Sequence, residues 1–185
     1  MKEESTKKEL RSEVKIPEGI SVLVSGNSIQ VSSNGKTLTK KFIFGDLKTE
    51  HKGEKFIIRS RKNTRSSRSM AGTLRAHLKN MFRGVEQGFT YKLKICSGHF
   101  PMNVSVSGAD FVIKNFLGES VPRKIKIPQD VKVKISGDII SVDADSKESA
   151  GQTAAQIEKL TTIKGRDLRI FQDGIYIIQK GDKIM

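Results

Sequence analysis

Residues 16–31 read IPEGISVLVSGNSIQV, and residues 127–142 read IPQDVKVKISGDIISV. Set against each other without a gap, the two stretches are identical at seven of sixteen positions. Ile16, Pro17, Val22, Ser25, Gly26, Ile29 and Val31 recur as Ile127, Pro128, Val133, Ser136, Gly137, Ile140 and Val142. Ile20 and Val24 face Val131 and Ile135, so the apolar positions stay in phase. Apolar residues at 20, 22 and 24, then at 29 and 31, have the period of a strand that buries one face. Gly26-Asn27, or Gly137-Asp138, separates the two runs, which predicts a hairpin in each copy. A weaker echo, VSVSGADFVI at 104–113, predicts a third strand–turn–strand.

A helical pattern follows each copy. In SMAGTLRAHLKNMFRGV, Ala71, Leu74, Leu78, Met81, Phe82 and Val85 share one face, and Arg75, Lys79 and Arg83 share the other. In DSKESAGQTAAQIEKL the stripe is Ala150, Ala154, Ile157 and Thr161, with Asp145 and Glu148 at capping-box spacing. Both helices carry Ala-Gly near the start, at 71–72 and 150–151. Between them lie further strand patterns: VSSNGKTLTKKFIF, with its Asn34-Gly35 turn signal, and EKFIIRS, YKLKIC and RKIKIP. The expectation is an α+β protein of two tandem duplicated domains, each a small antiparallel sheet packed with one helix. The junction falls in RGVEQGF, between Gly84 and Gly88. The expected division is a charged tail at 1–13, a first domain at 14–86, a second domain at 87–181 and a short tail at 182–185.

Charge indicates the partner. The 185 residues hold 34 Lys plus Arg against 20 Asp plus Glu, a net +14, with a mean hydropathy of −0.40. Residues 1–88 hold 19 basic and 9 acidic side chains, and residues 55–85 hold nine basic and no acidic ones. Such an excess favours a polyanion, nucleic acid first and an anionic membrane surface second, against the alternative of a merely solvated basic face. No apolar run approaches the roughly 20 residues of a membrane span. The mixed charges of MKEESTKKELRSEV do not form a secretory signal. The lone Cys96 leaves no internal disulfide, which fits a cytosolic chain.

A catalytic or metal site is not legible. His51, His77 and His99 fall in different elements, one cysteine makes no zinc pattern, and no phosphate-binding glycine loop is present. The carboxylates Asp143, Asp145 and Glu148 are better used in capping and at the helix dipole. The expectation is no enzyme and no cofactor. Two basic segments offer more. RSRKNTRSSRS at 59–69 presents Arg61, Lys62, Arg65 and Arg68 as a loop of phosphate donors, leading into a helix that carries Arg75 and Lys79. TTIKGRDLRIF at 161–171 presents Lys164, Arg166 and Arg169 around Gly165, where glycine permits close approach of a phosphate ridge. Aromatic content of 6% with no Trp argues against stacking on single strands and for recognition of folded RNA by shape and phosphate.

Several longer phrases carry a resemblance: IPEGISVLVSGNSIQV, MAGTLRAHLKNMFRGVEQGFTYKLKICSGHFPMNV, VIKNFLGES, SAGQTAAQIE and RDLRIFQDGIYIIQKG. With them the chain resembles the large-subunit ribosomal protein L-six family, called L-nine in eukaryotes, over residues 14–181. HFP at 99–101 and FQDGIY at 171–176 favour its archaeal form. Bacterial members have Tyr-Lys-Gly-Lys-Gly near the carboxyl end, where this chain has Ile163-Lys164-Gly165-Arg166, so only Lys164 and Arg166 carry over. The resemblance implies two domains of one fold, in a structural constituent of the cytoplasmic ribosome. It implies binding to large-subunit (23S-type) ribosomal RNA, mainly through the second domain, near the factor-binding base of the stalk. Neighbouring ribosomal proteins of that region are the implied partners, with translation factors nearby and no membrane. A non-ribosomal RNA-binding module, such as an RNA chaperone, is the alternative from the residues alone.

Overall fold

The computed structural model describes residues 10–33, 35–53 and 55–184, so most of the charged tail, Asn34 of the expected turn and Met185 lie outside the described residues. The chain divides into two units between Gln87 and Gly88. The first comprises β1 (Leu10–Lys15), β2 (Ser21–Ser25), β3 (Ser28–Ser33), β4 (Lys36–Lys41), β5 (Leu47–Lys52), β6 (Lys55–Ser60) and α1 (Arg65–Glu86). Its strands form two three-stranded antiparallel sheets, in the orders β1-β6-β5 and β2-β3-β4. Strand β1 begins at Leu10, inside the segment expected as tail, because Leu10 pairs with Ser60 and extends the ladder on β6.

The second unit comprises β7 (Phe89–Cys96), β8 (Asn103–Ser107), β9 (Asp110–Lys114), a 3-10 turn at Phe116–Gly118, β10 (Arg123–Lys126), β11 (Val131–Ser136), β12 (Ile139–Ala144), α2 (Lys147–Leu160), β13 (Gly174–Lys180) and β14 (Lys183–Ile184). Here the sheets are five-stranded, β11-β12-β7-β13-β14, and three-stranded, β10-β9-β8. Each unit thus holds two small antiparallel sheets with one long helix.

The repeat is reproduced pair for pair. Val22 faces Val31 and Val24 faces Ile29 in β2–β3, and Val133 faces Val142 and Ile135 faces Ile140 in β11–β12. Gly26 and Gly137 take φ of 55° and 58° at the turns, a region that L side chains avoid. A one-residue slip would turn every buried valine outward, which is why the common pattern yields a common register. The weaker echo at 104–113 is also a hairpin, β8–β9, but its counterpart is β5–β6 rather than β2–β3. Thr49 faces Ile58 where Val104 faces Ile113, and Phe56 and Ile58 are buried as Phe111 and Ile113 are.

Two further pairings extend the match: Val31 faces Leu38 where Val142 faces Tyr91, and Val14 faces Phe56 where Ile125 faces Phe111. So β7–β9 stand where β4–β6 stand in the first unit, and β10–β12 where β1–β3 stand. The two units share one pairing scheme entered at different points of the chain. As a result α2 follows its hairpin directly, while β4, β5 and β6 intervene before α1. Even so, α1 packs on β1, β3 and β4, and α2 packs on their counterparts β10, β12 and β7.

Both apolar stripes face the cores. Ala71, Leu74, Leu78, Met81, Phe82 and Val85 are buried in the first unit; Ala150, Ala154, Ile157 and Thr161 are buried in the second. Each fully buried leucine, isoleucine, valine, methionine or phenylalanine among them contributes about 1.5–3 kcal/mol, and each alanine less. The two Ala-Gly pairs differ. A Cβ on Gly151 would lie 3.2 Å from the Tyr91 hydroxyl oxygen, so glycine lets α2 close on β7, whereas Gly72 faces open space.

The caps differ from the expected capping box. Ser146, in extended conformation, caps α2 by accepting from the Ser149 N–H at 3.3 Å, and Thr64 caps α1 by accepting from the Ser67 N–H at 3.1 Å. Asp143 does not cap; it sits in β12 and accepts the Thr90 hydroxyl of β7 at 2.6 Å.

Candidate nucleic-acid interface

The basic segment at 59–69 is divided: Arg59 and Ser60 end β6, residues 61–64 form the connection, and residues 65–69 open α1. With Thr64 as N-cap, Arg65 and Arg68 lie in the first turns of α1, and only Arg61 and Lys62 remain in the connection from β6. At 100° per residue, Arg65, Arg68, Gly72, Arg75 and Lys79 fall within one narrow sector, and all five are exposed. The stripe runs about 21 Å from Arg65 to Lys79 at 1.5 Å per residue. Part of this charge is held locally: the Arg68 Nε donates to the Asn63 Oδ1 at 2.6 Å, and the Lys62 Nζ lies 3.7 Å from the Asp46 carboxylate. His77 is structural, since its Nδ1 accepts from the Lys40 ammonium at 3.0 Å and its ring packs on Phe42.

In the second unit, the loop after α2 is shaped by Asp167. Its carboxylate accepts the Arg169 N–H at 2.9 Å, and its carbonyl accepts the N–H groups of Ile170 and Phe171. The Arg169 guanidinium lies 3.5 Å from the same carboxylate, yet its side chain is 92% exposed. Gly165 takes φ of 70° with open space at its Cβ position. Arg166 lies over the Phe171 ring at 4.8 Å, and His99 stacks on that ring at 4.7 Å.

His99 is held by Asp173, which is only 3% exposed. One Asp173 oxygen accepts the N–H groups of Gly98 at 2.5 Å and His99 at 2.9 Å, and the other meets the His99 Nδ1 at 2.6 Å. Burial alone would raise the Asp173 pKa, but the hydrogen bonds from His99 and Gly98 prevail and hold it below the ordinary aspartate value. The HFP and FQDGIY phrases therefore meet in space, as one brace under the basic loop.

Lys164 and Arg166 line one concavity of about 370 Å³, together with Lys159, Leu160, Thr162, Ile163, Leu117, Glu119 and Arg123. Its acid is neutralised: Arg123 binds Glu119 in bidentate fashion at 2.8 and 2.5 Å, which holds the Glu119 pKa below its ordinary value. The same guanidinium donates to the Leu160 carbonyl at 2.6 Å and packs on Phe116 at 4.3 Å. Arg123 thereby also offsets the negative end of the α2 dipole.

Of the residues expected to bind, Lys164 and Arg166 are thus brought together beside Gly165, and Arg169 stands apart against Asp167. The six from Arg61 to Lys79 form a separate surface in the first unit. The brace His99–Phe171–Asp173 was not legible as a unit, because His99 lies 72 and 74 positions from the other two. The outward face of the five-stranded sheet carries a further set of cations. There Lys92 and Lys94 of β7 and Lys132 and Lys134 of β11 are all exposed, with Lys92 and Lys134 both opposite Ser141. Their period-two spacing in YKLKIC and VKVKIS was the available signal.

Among the described residues, no group of three His, Cys, Asp or Glu side chains could hold a metal, and no helix is long and apolar enough to cross a membrane. The sequence pattern of the Ribosomal protein L6 family matches residues 100–174. The large ribosomal subunit protein uL6 of Methanococcus vannielii is 43% identical over 176 residues, covering 95% of this chain and 97% of its own length. The protein of that name from Thermoplasma acidophilum is 44% identical over 175 residues, covering 95% and 98%. The Methanosarcina mazei protein is 43% identical over 173 residues, covering 94% and 98%.

Proposed function

Because this chain belongs to the ribosomal protein L6 family, in its archaeal form, and is a structural rather than catalytic constituent of the large ribosomal subunit, we propose that it works by holding large-subunit ribosomal RNA. The observation that carries this reading is the convergence of Lys164 and Arg166 on one concavity whose acid, Glu119, is already bound by Arg123. Lys164 has no ion pair among the described residues and Arg166 shares only the field of a Glu119 already bound by Arg123, so both are available to phosphates, and a rigid brace spares Arg166 part of the ordering cost of binding. The Arg65–Lys79 stripe of α1 adds long-range attraction and a second row of phosphate contacts. The family resemblance supports a position near the stalk base, beside the ribosomal proteins of that region and within reach of translation factors.

The test uses the purified full chain and a fragment of large-subunit ribosomal RNA, with binding measured across a salt series. Replacing Lys164 and Arg166 together with Ala should weaken binding about tenfold or more and lower the salt slope by about 2, one unit per phosphate contact. Unchanged affinity and slope would remove this loop from the interface. Equal affinity for unrelated RNAs would favour the RNA-chaperone reading instead. Cross-links mapped to RNA far from the factor-binding region would reject the stalk-base position.

A further inference from the structure

The VIKNFLGES phrase, which supplies Leu117 and Glu119 to the concavity, has the most unusual backbone among the described residues. Asn115 and Leu117 are the two non-glycine residues with positive φ among the described residues, at 60° and 51°, and Gly118 follows at 80°. A leucine rarely adopts this conformation, and it persists only where the surroundings over-determine it. Here the Asn115 amide donates to the Pro101 carbonyl at 3.0 Å, Phe116 is buried to 1% exposure, and the Glu119 N–H closes onto the Phe116 carbonyl at 3.0 Å. The outcome is that Leu117 lines the same concavity as Lys164 and Arg166.

That concavity has two chemical characters. Leu117, Leu160 and Ile163 give it an apolar side, and Lys159, Lys164 and Arg166 give it three exposed cations that no ion pair engages among the described residues. Arg123 is spent on Glu119 and the Leu160 carbonyl, so it screens the helix terminus rather than greeting a ligand. An apolar wall beside convergent cations suits a flat ring joined to a phosphate, and about 370 Å³ lies within the range of small-ligand pockets, roughly 300–1,000 Å³. A continuous duplex backbone would use the cations but leave the apolar wall in water. An acidic peptide would do the same.

We propose that this concavity seats one unpaired nucleotide, its base against Leu117, Leu160 and Ile163 and its phosphate among Lys159, Lys164 and Arg166. The inference rests on the RNA-binding reading above. It adds the substrate form, an extruded base rather than a regular helix.

Two RNA duplexes that differ only in one bulged, fluorescent aminopurine nucleotide test it, each titrated with the full chain at fixed salt. The bulged duplex should bind about tenfold more tightly, from the base face buried against three aliphatic side chains, with a change in aminopurine emission. Leu117→Gly keeps the positive φ without strain and removes one wall. It should cut the preference to about twofold, with most of the loss falling on the bulged duplex. Lys159→Gln should weaken the bulged duplex more than the paired one. Equal wild-type affinity for both duplexes would overturn the seat alone, whereas no binding to either would sink the RNA-binding reading with it. A preference that survives both substitutions, or displacement of the bulged duplex by a polyglutamate peptide at matched charge, would also overturn the assignment.

Discussion

Removing the carboxylate of Asp173 would leave three donors without their acceptor: the Gly98 N–H, the His99 N–H and the His99 Nδ1. A hydrogen bond to a charged group contributes about 1.5–3 kcal/mol, and the exposed imidazole can turn to water. Gly98 and His99 are exposed, so each backbone bond to the carboxylate falls at the low end of that range, and losing two puts Asp173→Ala at about 3–4 kcal/mol. Asp173→Asn keeps an oxygen for both N–H groups, and its amide can donate to His99 in the other tautomer, so it should cost only about 1 kcal/mol. The assay is selective, because the chain has two tyrosines, Tyr91 and Tyr176, both in the second unit, and no Trp. Tyrosine fluorescence in urea thus follows that unit, and with a slope of about 2 kcal/mol per molar the Ala midpoint should fall by about 1.5–2 M. Acid gives a second readout. The folded-state pKa of Asp173 lies below its ordinary value, so its stabilisation is complete above that ordinary value, about 3.9, and is lost as pH falls through the folded value. The gap between wild type and Asp173→Asn should therefore narrow below about pH 4. An Ala variant within 1 kcal/mol of wild type, or Ala and Asn variants of equal stability, would refute the brace.

Other outcomes follow from single positions. Gly72→Ala, in a helical conformation with open space at its Cβ, should stabilise the first unit by about 0.5–1 kcal/mol in thermal melts followed by far-ultraviolet ellipticity. Destabilisation there would contradict the exposed placement. Ile58→Ala and Ile113→Ala remove side chains of 0% exposure at matching sites, and each should cost about 2–5 kcal/mol in urea denaturation. A cost under 1 kcal/mol at either would show that the two sites are not equivalent core positions.

Much of the fold was legible because its signals are local. The period-two apolar positions in IPEGISVLVSG and IPQDVKVKISG, with a glycine at each turn, specify both hairpins and their register. The helical stripes from Ala71 to Val85 and Ala150 to Thr161 specify which face is buried. Less local features were lost. Arg65 and Arg68 read as loop because their Ser-rich surroundings carry no apolar period, yet Thr64 starts the helix one residue before Arg65. The hairpin at 104–113 read as an echo of the opening phrase because Val-Ser-Gly recurs, although its pairing partners match β5–β6. At the interface, Lys164, Gly165 and Arg166 were visible as a glycine flanked by cations. His99 was set aside as one of three scattered histidines, and Asp173 was marked only by its place in the FQDGIY phrase, with no sign that it meets His99.

The sequence alone determined the alternation, the turns, the helix faces and the basic excess, since each depends on residues a few positions apart. The tertiary structure decided which carboxylate meets which cation and where the strained Leu117 points. It also decided that the two units run one pairing scheme from different starting strands. Those choices depend on contacts across 37 positions from Arg123 to Leu160 and 74 from His99 to Asp173. Such contacts form only when the chain is closed around its cores, and no short-range period records them.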